Sequence, residues 1–203
     1  MIGIIDYGLG NLQSVAGAVE KLGFKAVITS EITELERADK LILPGVGAFA
    51  DGMKNLQELH LIEPLTKLIL EKKKPILGIC LGFQLMAKEG FEFGHHPGLG
   101  WLDASVIKLE PGKELRIPHV GWNGLQQAKE SILWRGIHAE ALFYYTHSFH
   151  VKMNTEQNVI GQCNYGIPFT AAVQQGNIYG TQFHPEKSQQ FGLALLHNFL
   201  EFG

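Results

Sequence analysis

The chain has 203 residues, a formal net charge of −3, and 45% hydrophobic against 18% charged side chains. That length suits one α/β domain, residues 1–203, and the charge balance gives no reason to expect nucleic acid or an anionic membrane as a partner. With Cys80 and Cys163 as its only cysteines, the chain argues against a disulfide scaffold. Together with the lack of a basic leader, this makes a reducing cytoplasm the expected setting.

Apolar runs at Ile2–Ile5, Ala26–Ile28, Lys40–Leu43 and Pro75–Ile79 read as strands that alternate with helical patterns. Leu12, Val15, Ala16, Val19 and Leu22 recur at helical spacing and form one apolar face. Asn11 is expected to cap that helix and Gly23 to stop it. A second helical region covers about Asp51–Lys73, with a break expected at Glu63-Pro64. Its basic end, Lys72-Lys73-Lys74, reads as a solvated helix terminus that complements the dipole. From Trp101 to Tyr179 the pattern changes: Val106–Leu109, Leu142–Val151, Val159–Cys163, Phe169–Val173 and Asn177–Phe183 read as strands with few helices between them. A closing helix puts Phe191, Ala194, Leu195, Asn198, Phe199 and Phe202 on one face. The expected fold is a three-layer α/β arrangement, with a mostly parallel central sheet, helices on both faces and an antiparallel extension.

The chemistry concentrates at Gly78-Ile79-Cys80-Leu81-Gly82, where an apolar strand meets a helical pattern beginning near Gly82. This is the cysteine counterpart of the nucleophile elbow, in which a strained strand-to-helix turn projects the reactive atom above a sheet. A free thiol is only about 3% ionised at pH 7, so a helix N-terminus and a neighbouring histidine are needed to activate it. Gln182-Phe183-His184-Pro185-Glu186 supplies the candidates. Proline keeps His184 out of the helical region, and in an extended segment Glu186 falls on the same side as the imidazole. Leu81 N–H is a natural oxyanion donor, and Pro44-Gly45-Val46-Gly47 is a candidate loop for a second. No metal or cofactor site is expected. Gly8-Leu9-Gly10 begins like a dinucleotide fingerprint but has Gln13 at the third glycine position, and His95-His96 lacks zinc spacing.

With Gly-Ile-Cys-Leu-Gly-Phe-Gln at 78–84 and His-Pro-Glu at 184–186, the chain resembles the class I (triad) glutamine amidotransferases from end to end. Within that class it is similar to the glutaminase subunits of imidazole glycerol phosphate synthases. The discriminating residues are Asp6-Tyr7-Gly8, Gly10-Asn11-Leu12, the Pro-Gly-Val-Gly loop, Pro118-His119-Val120-Gly121-Trp122-Asn123, and Gln182 through Ser188. The resemblance implies a triad of Cys80, His184 and Glu186, with Val46, Gly47 and Leu81 around the oxyanion. It implies that L-glutamine is held by Gly47, Gln84, Glu92 and the backbone of His147-Ser148-Phe149. Phe83 stands where the family often has methionine, and Phe149 replaces a frequent tyrosine, so a hydroxyl contact is lost there. The implied reaction is hydrolysis of glutamine through a cysteine thioester, with ammonia passed to a (β/α)8-barrel cyclase subunit in a heterodimer. His119, Trp122, Asn123, Tyr144 and Lys187 would lie at that interface. The same motifs also fit a glutaminase feeding another synthase, or a catalytically silent regulatory subunit.

Overall fold

The computed structural model describes residues 1–203. Four short apolar runs form strands β1 (Ile2–Ile5), β2 (Ala26–Thr29), β3 (Lys40–Leu43) and β4 (Ile76–Ile79). Between them lie helices α1 (Leu12–Lys21), α2 (Ile32–Arg37), α3 (Phe49–Glu58) and α4 (Ile62–Thr66), the last continuing into a π-turn at Lys67–Glu71. After β4 come α5 (Leu81–Leu85), β5 (Ala87–Gly90), β6 (His96–Pro97), β7 (Leu102–Lys108), β8 (His119–Gly124) and β9 (Gln126–Gln127). The chain finishes with β10 (Leu142–His147), β11 (Phe149–Met153), β12 (Val159–Tyr165), β13 (Ile167–Gln175), β14 (Ile178–Thr181) and α6 (Gln189–Phe202).

The main sheet has eight strands in the order β2-β1-β3-β4-β14-β13-β12-β9. Its first five strands run parallel and the rest antiparallel. Strand alternation sorts the side chains into two cores. Ile2, Ile4, Ile42, Leu77 and Ile79 join Val15, Val19, Leu195 and Phe199 of α1 and α6 on one face. Ile5, Leu41, Leu43 and Ile76 join Phe49, Leu56 and Leu65 of α3 and α4 on the other. The mixed α/β architecture with both faces covered is the one expected from the sequence.

Several local readings need correction. The helical region after Asp51 breaks at Leu59–Leu61, where His60 adopts φ 54°. Pro64 instead sits in the first turn of α4, where its missing N–H costs nothing. Asn11 occupies the N-cap of α1, but its side chain makes no capping bond. Lys74 is not free in solvent: its ammonium donates to the carbonyls of Glu36 and Ala38 at the end of α2. The extension is three pieces rather than one: the antiparallel far half of the main sheet, an antiparallel β8/β10 ribbon, and a mixed sheet ordered β11-β7-β5-β6 in which β5 and β7 run parallel. The Leu142–Val151 run is two strands, parted at Ser148 into different sheets. No helix is long and apolar enough to cross a membrane.

Candidate active site

β4 ends at Ile79 and α5 begins at Leu81, so the chain must turn within Cys80, which adopts φ 52°, ψ −108°. An L-residue rarely adopts that backbone, and it persists only where the surroundings fix it. Here they do: Cys80 N–H donates to Thr181 O of β14 at 2.8 Å. The flanking glycines are required by space. A Cβ on Gly78 would lie 2.7 Å from Phe83 Cα in α5, and one on Gly82 would overlap the Leu43 carbonyl of β3.

The Cys80 thiol is buried; Gln182 Nε2 donates to its sulfur at 3.7 Å, and Thr146 O lies 3.9 Å from it. His184 Nδ1 is 2.8 Å from Glu186 Oε1, and both side chains are 2% exposed. His184 is itself extended, as the proline after it requires. Pro185–Lys187 is a 3-10 turn, not an extended segment, and Glu186 reaches the ring through that turn. A carboxylate accepts only, so Nδ1 carries a proton and Nε2 is left to exchange the second one with the thiol. Nε2 is buried without a well-aligned partner. Burial alone would lower the imidazole. Hydrogen bonding to Cys80 and Glu186, and the charges of both, outweigh it and hold His184 raised, at about 10. The other cysteine has the opposite setting: burial pushes the Cys163 thiol up to about 11.

Beside the thiol opens a cavity of about 420 Å³. Val46, Gly47, Leu81, Gln84, Glu92, His147, Ser148 and Phe149 all line it, along with Pro118, Thr146 and Lys187. The expected oxyanion and glutamine-holding residues therefore share one chamber with Cys80. Several of them are already engaged. Leu81 N–H, read as a free oxyanion donor, points at Gly45 O at 3.4 Å. Gln84 Nε2 donates to Phe149 O at 2.8 Å and to Gln182 Oε1 at 3.2 Å, so it braces the chamber wall. One Glu92 oxygen accepts Phe49 N–H at the start of α3 at 2.8 Å.

The expected interface residues divide. Trp122 is 45% exposed, and Asn123, Tyr144 and Lys187 are half-buried. His119 is only 3% exposed and so cannot touch a partner directly: its ring is stacked between Tyr145 and Tyr165, with centroids at 4.8 and 4.0 Å. Sequence reasoning also passed over two groups. Gln182 is wholly buried and contacts the sulfur; the signal was a polar side chain beside the histidine motif, at the end of an apolar strand. Tyr7 is wholly buried, its hydroxyl has no partner, and burial plus the Cys80 charge hold the phenol well above its usual range.

A strained elbow cysteine, a buried His-Glu pair and a polar chamber on a mixed α/β sheet define a thiol amidotransferase class. A family model described as "Glutamine amidotransferase class-I" matches residues 3–201, and the chain belongs to that family. A Campylobacter jejuni (strain 81-176) relative is 50% identical over 199 residues, covering 98% of both chains, and is described as "Imidazole glycerol phosphate synthase subunit HisH 1". A Pseudomonas aeruginosa relative, 42% identical over 99% of both chains, is "Imidazole glycerol phosphate synthase subunit HisH 2". A solved structure titled "Crystal structure of glutamine amidotransferase" superposes with TM-score 0.77 at 21% identity, covering 98% of this chain and 97% of that one, a likeness of fold.

Proposed function

We propose that residues 1–203 form one glutaminase domain, the ammonia-producing subunit of an imidazole glycerol phosphate synthase. The observation that carries the chemistry is the His184 Nδ1–Glu186 Oε1 bond of 2.8 Å, with Nε2 left over for Cys80. The relatives described as HisH, 42% to 50% identical along the whole chain, support the choice of synthase.

In this reading glutamine enters the chamber beside Cys80, its carboxylate met by N–H groups near Ser148 and its ammonium by the free oxygen of Glu92. His184 holds the thiol proton, and the sulfur attacks the side-chain amide carbon. The tetrahedral oxyanion is met by N–H groups from Leu81 and the Val46-Gly47 loop, once the Leu81–Gly45 bond opens. One such donor contributes about 2.7–4 kcal/mol to the transition state. As the C–N bond breaks, His184 returns the proton to nitrogen and ammonia leaves. His184 then takes a proton from water, hydroxide attacks the thioester, the C–S bond breaks, and glutamate departs. Glu186 holds the ring's tautomer and stabilises its charged form.

Ammonia released into water at neutral pH is mostly protonated and no longer nucleophilic, so a partner must receive it directly. The β8/β10 ribbon supports such a partner. Register pairs Trp122 with Tyr144 and Val120 with Thr146. Val120, Trp122 and Leu142 are 56%, 45% and 48% exposed on the same face. Exposed apolar clusters of this kind mark interaction sites. The proposed partner is the (β/α)8 cyclase subunit in a cytoplasmic heterodimer. It would use the ammonia to make imidazole glycerol phosphate and aminoimidazole carboxamide ribotide in histidine biosynthesis. The test measures glutamate release with and without a histidine-pathway cyclase and its ribulosyl phosphate ligand. Release should rise on adding both, and Cys80→Ala should abolish it while the complex still uses added ammonia. Release indifferent to cyclase and ligand would contradict the proposed partner.

A further inference from the structure

A directed chain of buried hydrogen bonds runs from β8 to the chamber wall. His147 Nδ1 lies 2.9 Å from Phe149 O, a group that can only accept, so His147 carries its proton on Nδ1. His147 Nε2 is then an acceptor, and the atom 3.1 Å from it, His119 Nδ1, must donate. That leaves His119 Nε2 as an acceptor, and Asn123 Nδ2 donates to it at 3.4 Å while also holding Asn164 O at 3.0 Å. Every ring nitrogen is used, and only one arrangement of protons satisfies the chain. Both rings must be neutral, in keeping with burial that holds His119 down to about 4 and His147 to about 3.

The far end of the chain matters for the reaction. Phe149 O also accepts Gln84 Nε2, Gln84 contacts Gln182, and Gln182 donates to the Cys80 sulfur. We propose that His119 is a positioning residue: acting through His147, it fixes the Phe149 peptide that walls the glutamine chamber and ties that wall to the strand bearing Trp122. His119 itself does not line the chamber, and its stacked position between two tyrosines sets the ring's angle. The Pro-His-x-Gly-Trp-Asn block thereby gains one function with two ends, an exposed tryptophan outward and a buried donor inward.

The kinetic arm of the test rests on the glutaminase reading, which unaltered protein checks first; the spectroscopic arm does not. In the unaltered chain, nitrogen-15 spectra of the histidine rings at pH 7 should show His119 and His147 both neutral and both protonated at Nδ1. A proton on Nε2 of either ring, or two protons on either, would overturn the relay. His119→Phe keeps the stacking and removes the hydrogen bonds. It should raise the KM for glutamine about tenfold, equivalent to about 1.4 kcal/mol, with kcat within about threefold of the parent. His119→Gln can both donate and accept, and should bring KM back to within about threefold of the parent. A KM unmoved by His119→Phe, with only a lower melting temperature, would reduce His119 to a packing residue and overturn the proposal. Equal impairment of the Phe and Gln variants would overturn it too.

Discussion

Gly45→Ala probes the join between the oxyanion loop and the elbow. A Cβ at position 45 would press hardest on the Tyr7 hydroxyl and would lie 2.9 Å from both Gly82 N and Leu81 Cβ. None of these can yield easily: Tyr7 is wholly buried, and the other two belong to the elbow whose spacing Gly82 already fixes. Overpacking of this kind costs about 1–3 kcal/mol of stability. Its larger effect should be on rate, because the displaced loop carries Val46 and Gly47 away from Leu81. Losing one oxyanion donor lowers kcat about 10²- to 10³-fold. Tyr7→Phe removes a buried hydroxyl that has no partner, so alone it should raise stability, by about 1 kcal/mol. Combined with Gly45→Ala, it relieves the tightest overlap but leaves the two at 2.9 Å. Partial rescue is therefore expected, with a coupling of about 1–2 kcal/mol. Urea denaturation and single-turnover glutamine hydrolysis on the four proteins of this cycle measure both effects. Strict additivity, or a Gly45→Ala protein with parental stability and rate, would refute the packing argument.

Other expectations follow from the same geometry. Trp122→Ala should weaken binding of the proposed cyclase partner about 30-fold, the loss expected for an exposed aromatic anchor worth about 2 kcal/mol. Calorimetric titration measures it, and an unchanged affinity would make Trp122 an ordinary surface residue. Gln182→Leu should leave the chain folded yet slow the reaction of Cys80 with iodoacetamide at pH 7, because the buried donor 3.7 Å from the sulfur is gone. An unchanged alkylation rate would remove Gln182 from the site. Stability should peak near pH 6.5. His119 and His147 are lowered by burial to about 4 and about 3, so the unfolded chain binds more protons as pH falls below 6.5 and the folded state loses ground. His184, raised to about 10 by Cys80 and Glu186 against its burial, contributes fully below pH 6.5 and progressively less as pH climbs toward 10. Urea midpoints at pH 5, 6.5 and 8.5 test this, with a loss on the order of 2 kcal/mol expected at pH 5. A midpoint still rising from pH 6.5 to 8.5 would contradict it.

The parallel half of the fold was legible because short apolar strands and a one-faced helix leave periodic traces. Val15, Ala16 and Val19 are buried where their spacing put them. β8 was missed because Gly121, Asn123 and Gly124 are poor strand formers. It exists because β10 pairs with it along six residues, a nonlocal cause that no local pattern records. The same limit explains Pro64, which reads as a breaker from sequence alone but is harmless within the first turn of a helix. At the site, residue types revealed Cys80, His184 and Glu186, since strained elbows and buried ion pairs need specific chemistry. Whether Leu81 N–H was free, and whether His119 faced outward or inward, depended on contacts across 36 and 28 positions of chain.

The central claim is that Cys80 is the nucleophile toward glutamine and His184 its proton carrier. Incubating the chain with a glutamine-mimicking electrophile and locating the adduct by mass spectrometry tests it most directly. One adduct is predicted, on Cys80, suppressed by excess glutamine and slowed at least 100-fold in His184→Asn, with Cys163 unlabelled. Labelling at Cys163 instead, or Cys80 labelling indifferent to both glutamine and His184, would contradict the account.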